Sequence, residues 1–274
     1  MTLITISENM GAGGLEVARK VAAELDIDLF DDDRLHQEAK NEGLQSEGLP
    51  ILEEKTPAFW GRILSRKPQV YLELMENVIY NVAQKGQGVI IGHGSQLLLR
   101  DFDCALHIFI TASLVTRVDR LSEKLKMNHD DVEKIVKNKD REKENFFRYA
   151  FRSDWKDISV YDIIINTEKI GYNIAKDIII ESLKSYTLQS CSVNAIKKMK
   201  RYLLRTRVES EILNTNIKSI SQLHVDVPED GLVYLTGFVY SENEKTSLLD
   251  KVRSVSDVLE IEYKVMIVKN YFTD

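Results

Sequence analysis

Gly11, Ala12, Gly13 and Gly14 lie in the run ITISENMGAGGLEVARKVA, Ile4 to Ala22, between an apolar stretch and a helical pattern. Glycines there permit positive φ and close backbone approach, so successive N–H groups can converge on an anion at a helix N-terminus. The chemistry offered is a phosphate cradle. In the widespread nucleotide loop a lysine follows the last glycine and a Ser/Thr beyond it holds Mg2+. Here Leu15 and Glu16 follow Gly14, so positive charge for the phosphates must come from elsewhere. A plain strand-to-helix turn would use the same residues, and both readings stand on these residues alone.

Other side chains with chemical potential lie at similar junctions. Asp31 follows the second apolar run, where a carboxylate could hold Mg2+ through water or accept a proton. The run Asp31, Asp32, Asp33 could instead start and cap a helix, with Asp33 read as the cap and Asp31 as the functional group. His93 stands between Gly92 and Gly94 at another junction, a spacing that lets something approach closely. Arg117, Arg120 and Lys124 recur at i, i+3 and i+7 and share a helix face; Arg141, Lys143 and Arg148 follow on the next helical pattern. Such cations could close over a triphosphate, or form a solvated, salt-bridged surface. Trp60 and Trp155 read as packing residues, with base stacking the lesser alternative. Cys104 and Cys191 are far apart and match no metal-ligand spacing, so they read as thiols rather than a disulfide or zinc site.

The elements that must position these residues are visible as alternating textures. Apolar runs at Leu3–Ser7, Asp28–Phe30, Gly88–Ile91, Ala105–Ile110 and Asp162–Asn166 read as strands. Between them lie GGLEVARKVAAEL, RLHQEAKNE, QVYLELMENVIYNVAQK, SLVTRVDRLSEKLK and DDVEKIVKNKDREKENFFRYAF, all with helical spacing. Strand–helix alternation with nearly all-apolar strands predicts an α/β fold, a parallel sheet with helices on both faces. The 274 residues, 43% hydrophobic and 29% charged, can bury such a core. The net charge of −6 argues against general nucleic-acid binding. The N-terminus passes directly into a strand pattern and no apolar stretch approaches the ~20 residues of a membrane span, so a cytoplasmic protein is expected.

After Ser185 the texture changes. VNAIKKMKRYLLRTRVESEIL reads as a long helix, followed by LHVDV, PEDG, LVYLTGFVY, a helix in ENEKTSLLDKVRSV and a last strand LEIEYKVMIV. Leu223, Val225 and Val227 alternate with polar residues, as do Ile261, Tyr263, Val265 and Ile267, which predicts a small α+β unit with a sheet covered on one face. TLQSCS marks the boundary, giving domains at 1–186 and 192–270. The basic stretch Lys197, Lys198, Lys200, Arg201, Arg205 and Arg207 reads as a solvated helix face, with an anionic surface as the alternative.

ITISENMGAGG resembles the first strand and loop of the cytidylate kinase-like P-loop family, commonly ITISR-x-x-GSGG, whose glycine loop also lacks the lysine. DLFDDDRLHQEAKNEGL, the EEK of Glu53–Lys55, VIIGHGSQLLL, and KDREKENFFRYAFRSDW with YDIIINTEKIG are similar to further family segments, in order, over roughly residues 1–186. The resemblance implies a P-loop kinase-like fold, ATP and Mg2+, and transfer of a γ-phosphoryl group to a nucleoside monophosphate of the CMP type. It places Asp31, Arg117, Arg120 and Arg141 in catalysis and Gly11, Ala12, Gly13, Gly14, His93 and Arg148 in nucleotide binding. Glu8 and His93 replace arginines of the family pattern, and each lost charge-assisted contact is worth ~1.5–3 kcal/mol. A nucleotide-binding sensor with little or no turnover is therefore the alternative. The C-terminal segment resembles a BON domain, which implies a lipid, small-molecule or protein ligand.

Overall fold

The computed structural model describes residues 2–41, 68–185, 193–213 and 222–268, with Thr215 and Ile217. Five strands, β1 (Thr2–Glu8), β2 (Leu29–Phe30), β3 (Gln87–Ile91), β4 (Ala105–Thr111) and β5 (Ile163–Asn166), form a sheet of order β2-β3-β1-β4-β5. All its pairings are parallel. The expected strands are all present, with ends displaced by a residue or so. The helices are α1 (Gly14–Leu25), α2 (Asp32–Asn41), α3 (Pro68–Gln84), α4 (Ser95–Leu98), α5 (Leu114–Leu125), α6 (His129–Phe151) and α7 (Thr167–Ser182). Two of these, α4 and α7, were not anticipated, although Asn166 caps α7 by accepting from the Glu168 N–H.

Period-two alternation along β1 divides the core. Leu3 joins Phe30, Met75, Ile79 and Ile90 on one face, while Ile4 and Ile6 join Val17, Val21, Val89 and Ile108 on the other. Because β1 is central and its neighbours β3 and β4 are reached in opposite directions, the loop after β1 lies at the switch point where open α/β sheets take ligands.

The long helix α8 (Val193–Leu213) leads to β6 (His224–Glu229), β7 (Leu232–Val239), α9 (Glu242–Ser254) and β8 (Glu260–Ile267). β6 pairs antiparallel and β8 parallel with β7. Val225, Val227 and Val265 are buried as the alternation predicts. Tyr263 and Ile267 share that face in register but remain 44% and 40% exposed, because β8 is the edge strand. The basic stretch of α8 is largely spent on internal partners: Lys198 donates to the Asp101 carbonyl, Arg201 to Asp230, and Arg207 to Asn81 and Asp257.

One expectation meets another outcome. Cys104 is buried and disulfide-bonded, where wide spacing had argued for a thiol. Cys191, the boundary segment TLQSCS, Glu53–Lys55 and Trp60 lie outside the described residues. A division at residue 186 also cuts through shared packing, since Met199 and Leu203 of α8 sit in the core cluster of α3, and Leu204, Val208 and Ile212 in that of the C-terminal sheet. No helix among the described residues is long and apolar enough to cross a membrane.

Leu203→Ala should therefore destabilise the sheet domain as well as the C-terminal unit, by about 2–4 kcal/mol in urea unfolding. A fragment of residues 1–186 should melt below the corresponding transition of the full chain, and equal melting would show that α8 is dispensable to that core.

Candidate nucleotide site

Five strand ends converge on one edge, and the glycine loop after β1 is its centre. Gly11 and Gly13 have φ of 84° and 89°, conformations available at little cost only to glycine. A side chain at Gly13 would lie 2.2 Å from the Tyr172 ring and one at Gly11 2.8 Å from Leu121. The loop is thus enclosed by protein on its rear side. Its carbonyls are held from behind: Arg117 donates to Met10 O (3.2 Å), while Arg120 and the Thr167 hydroxyl both donate to Ala12 O (3.2 and 2.7 Å). Arg120 also bonds Thr167 and stands over the Tyr172 ring, 5.1 Å from its centroid.

These contacts assign Arg117 and Arg120 to bracing the loop. Arg117 is buried and paired with Asp140 at 2.9 Å, and Lys124 reaches Glu16 at 3.2 Å. The helical spacing located their common face; the structure shows that this face holds backbone carbonyls. Arg141 and Arg148 are not brought to the loop, bonding instead to Asn138 and Glu144 on exposed turns of α6. Helical geometry gives the reason, since positions two and five residues from Lys143 are rotated about 200° and 140° from it.

Lys143 is the cation that α6 delivers. Its ammonium donates to Ser7 Oγ (3.0 Å) and to Glu8 O (2.7 Å) at the end of β1, and lies 4.5 Å from the Trp155 ring centroid. Trp155 itself is fully buried with Phe109, Phe147 and Tyr161, which bears out packing as its role. Burial lowers the Lys143 pKa to about 8 against the attraction of Glu8, Asp140 and Asp32. Sequence reasoning noted Lys143 but singled out its neighbours. The available signal was its register with Asp140 and Phe147, at i−3 and i+4.

Glu8 occupies the front of the loop. Its Oε2 accepts from the Gly14 N–H at 2.7 Å, and its aliphatic stem is so close that a Gly14 side chain would meet its Cβ at 2.7 Å. Burial raises the Glu8 pKa, opposed chiefly by the Gly14 N–H and the Lys143 charge. The Gly14 N–H thus seats a carboxyl oxygen at the helix N-terminus, the place where an anion is favoured.

At the next strand end Asp31 Oδ1 accepts from the Arg34 N–H (3.2 Å), so Asp31, expected as the functional acid, makes the helix-capping bond, and Asp33, expected as the cap, does not. Asp32 turns toward the site and bonds His93 Nε2 at 2.7 Å, which lowers the Asp32 pKa. His93 has φ of 54° between Gly92 at 84° and Gly94 at 74°. What approaches Gly94 is the Phe151 ring, within 2.4 Å of a side chain placed there. His93 thus faces a carboxylate of its own chain. No cluster of three metal-ligating side chains occurs among the described residues. Mg2+ needs none, because it commonly keeps waters and binds one or two carboxylates together with substrate phosphates. Asp32 fits that part.

A parallel sheet with a glycine loop after its central strand, braced by two arginines and faced by a half-buried lysine, defines a P-loop kinase-like fold. The cytidylate kinase-like family profile matches residues 3–169, more than half of the chain, and the chain belongs to that family. It is 28% identical over 191 residues to a cytidylate kinase of Staphylothermus marinus, spanning 67% of this chain and 99% of that protein. Over 177 residues it is 26% identical to a cytidylate kinase of Pyrobaculum islandicum, spanning 64% and 89%. An uncharacterized protein from Eubacterium ventriosum, solved by crystallography, aligns at a TM-score of 0.54 and 23% identity, covering 68% of this chain and 99% of that one; this likeness concerns the fold. The family match ends before α8.

Gly13→Val should destabilise the protein by roughly 2–4 kcal/mol even without ligand, from left-handed strain and collision with Tyr172. Adding Tyr172→Ala should recover the steric part in thermal unfolding, whereas no recovery would place the cost in the backbone alone.

Proposed function

We propose that the chain is an ATP-dependent phosphotransferase that moves the γ-phosphoryl group to a nucleoside monophosphate, with cytidylate the first acceptor to test. One observation carries this reading: the Gly14 N–H already holds an anion at 2.7 Å beside the enclosed ammonium of Lys143. In the reaction a phosphate oxygen of the acceptor bonds to the γ-phosphorus while the bond to the β–γ bridging oxygen breaks, leaving ADP and a nucleoside diphosphate. The backbone N–H groups of Gly11, Gly13 and Gly14 bind phosphate, while the Ala12 N–H closes the loop on the Asn9 carbonyl, and Lys143 supplies the charge that a lysine after Gly14 would have given. Arg117, Arg120 and Thr167 keep the loop in shape, so the N–H groups need not reorganise as charge develops. Mg2+ would neutralise phosphate charge, with Asp32 as its carboxylate, oriented by His93.

A second reading is a nucleotide sensor with little turnover, favoured by the Glu8 carboxylate that stands in the seat. Its output would pass along α8, which is packed into both cores, to a BON-like unit that takes a lipid, small-molecule or protein ligand.

A coupled assay with Mg–ATP against CMP, dCMP, UMP, AMP and GMP separates the two. Turnover with a pyrimidine monophosphate, reduced at least a hundredfold by Lys143→Met, is the expected result; nucleotide binding without turnover would establish the sensor. Because the free-protein pKa of Lys143 is about 8, its ammonium is present below that pH and lost above it. The kcat/KM profile should therefore fall through about pH 8. Lys143→Arg, permanently charged, should abolish that alkaline limb.

A further inference from the structure

Glu8 is bonded to the group on which phosphate binding depends. Its carboxylate takes the Gly14 N–H at 2.7 Å, and the Leu15 N–H also points to it. Gly14 lacks room for a side chain because of the Glu8 stem itself, with Cβ, Cδ and Oε2 at 2.7, 2.9 and 3.0 Å from the place a Cβ would take. The glycine that elsewhere lets phosphate approach here lets a glutamate approach. A helix cap from the adjoining residue would leave this space open; Glu8 reaches in from six residues earlier and fills it. Two anions cannot share the same N–H groups.

We propose that Glu8 is a tethered occupant of the phosphate seat, expelled by nucleotide, and therefore the residue that sets which anions the loop accepts. This rests on the reading of the loop as a nucleotide-phosphate seat. The carboxylate is permanently at high local concentration, so a ligand displaces it only by making several contacts at once. A nucleoside di- or triphosphate can do so, binding Lys143 and the remaining loop N–H groups together. Inorganic phosphate offers too few contacts.

The charges around Glu8 fit an exchange of partners. Lys143 of α6 attracts it and Glu16 of α1 repels it, while Asp140 and Asp32 face Lys143 and Arg117 holds Asp140. When phosphate enters, Lys143 keeps an anionic partner. Glu8, once released, meets the repulsion of Glu16. Its main-chain carbonyl can still accept from Lys143, so the β1 end need not move.

Calorimetry on the full chain tests this with ADP and with pyrophosphate, for wild type, Glu8→Ala and Glu8→Gln. Glu8→Ala should bind ADP at least tenfold tighter, the scale of one charge-assisted hydrogen bond, and should admit pyrophosphate that the wild type binds far more weakly. Hydrogen exchange gives a reading without ligand: the Gly14 amide should exchange faster in unliganded Glu8→Ala than in wild type. Should Glu8→Ala fail to fold, Glu8→Gln, which keeps the shape and loses the charge, should gain several-fold in ADP affinity. ADP bound by wild type with equal or greater affinity than by the folded variants overturns the role of Glu8 and leaves the nucleotide reading standing. ADP bound by none of them overturns both.

Discussion

An ammonium held over the end of a buried parallel strand is the interaction on which the site depends. Lys143 ties α6 to β1 through Ser7 Oγ and Glu8 O. The enclosure that fixes it also weakens its charge, and only the surrounding carboxylates keep that charge in place. The same tie fixes the direction of the glycine loop that follows. Arg117 and Arg120 then hold the Met10 and Ala12 carbonyls of the loop. Cations thus serve two tasks here: two guanidiniums hold the loop carbonyls, and one ammonium closes on the end of β1.

On the phosphotransferase reading, this division stands in for the lysine that is absent after Gly14. Positive charge placed on a helix from a distant part of the chain reaches the same edge of the sheet, because parallel strands deliver all their exits there. It also limits what substitution can reveal. Gly13 is needed for Tyr172 and Gly14 for Glu8 before any ligand is considered, so loss of activity on changing either would report packing as much as phosphate contact.

Much of the fold was legible because its signals are local. Apolar runs and helical spacing located all five strands of the main sheet and the long helix Val193–Leu213 to within a residue or so. The glycine loop was legible for the same reason, as a matter of backbone permission. The side-chain roles were less so, since they depend on rotation about helices and on partners far away in sequence. Among three consecutive aspartates, capping fell to Asp31 and the contact with His93 to Asp32, a choice set by the first turn of α2. Arg141 and Arg148 lie on other faces of α6 than Lys143, bonded to Asn138 and Glu144. Glu8 was visible as a departure from a family arginine, yet its position in the cradle follows from the loop folding back upon it. Amphipathic spacing in α8 shows that the helix is buried, not that it packs against two different cores.

Amide chemical-shift mapping of the full chain on addition of Mg–ATP tests the phosphate seat most directly. The largest changes are predicted at Gly11, Gly13, Gly14 and Leu15, with the side-chain ammonium resonance of Lys143 shifting at the same ligand concentrations. Saturable shifts confined to α8 and the C-terminal sheet, with the glycine loop unmoved, would contradict it.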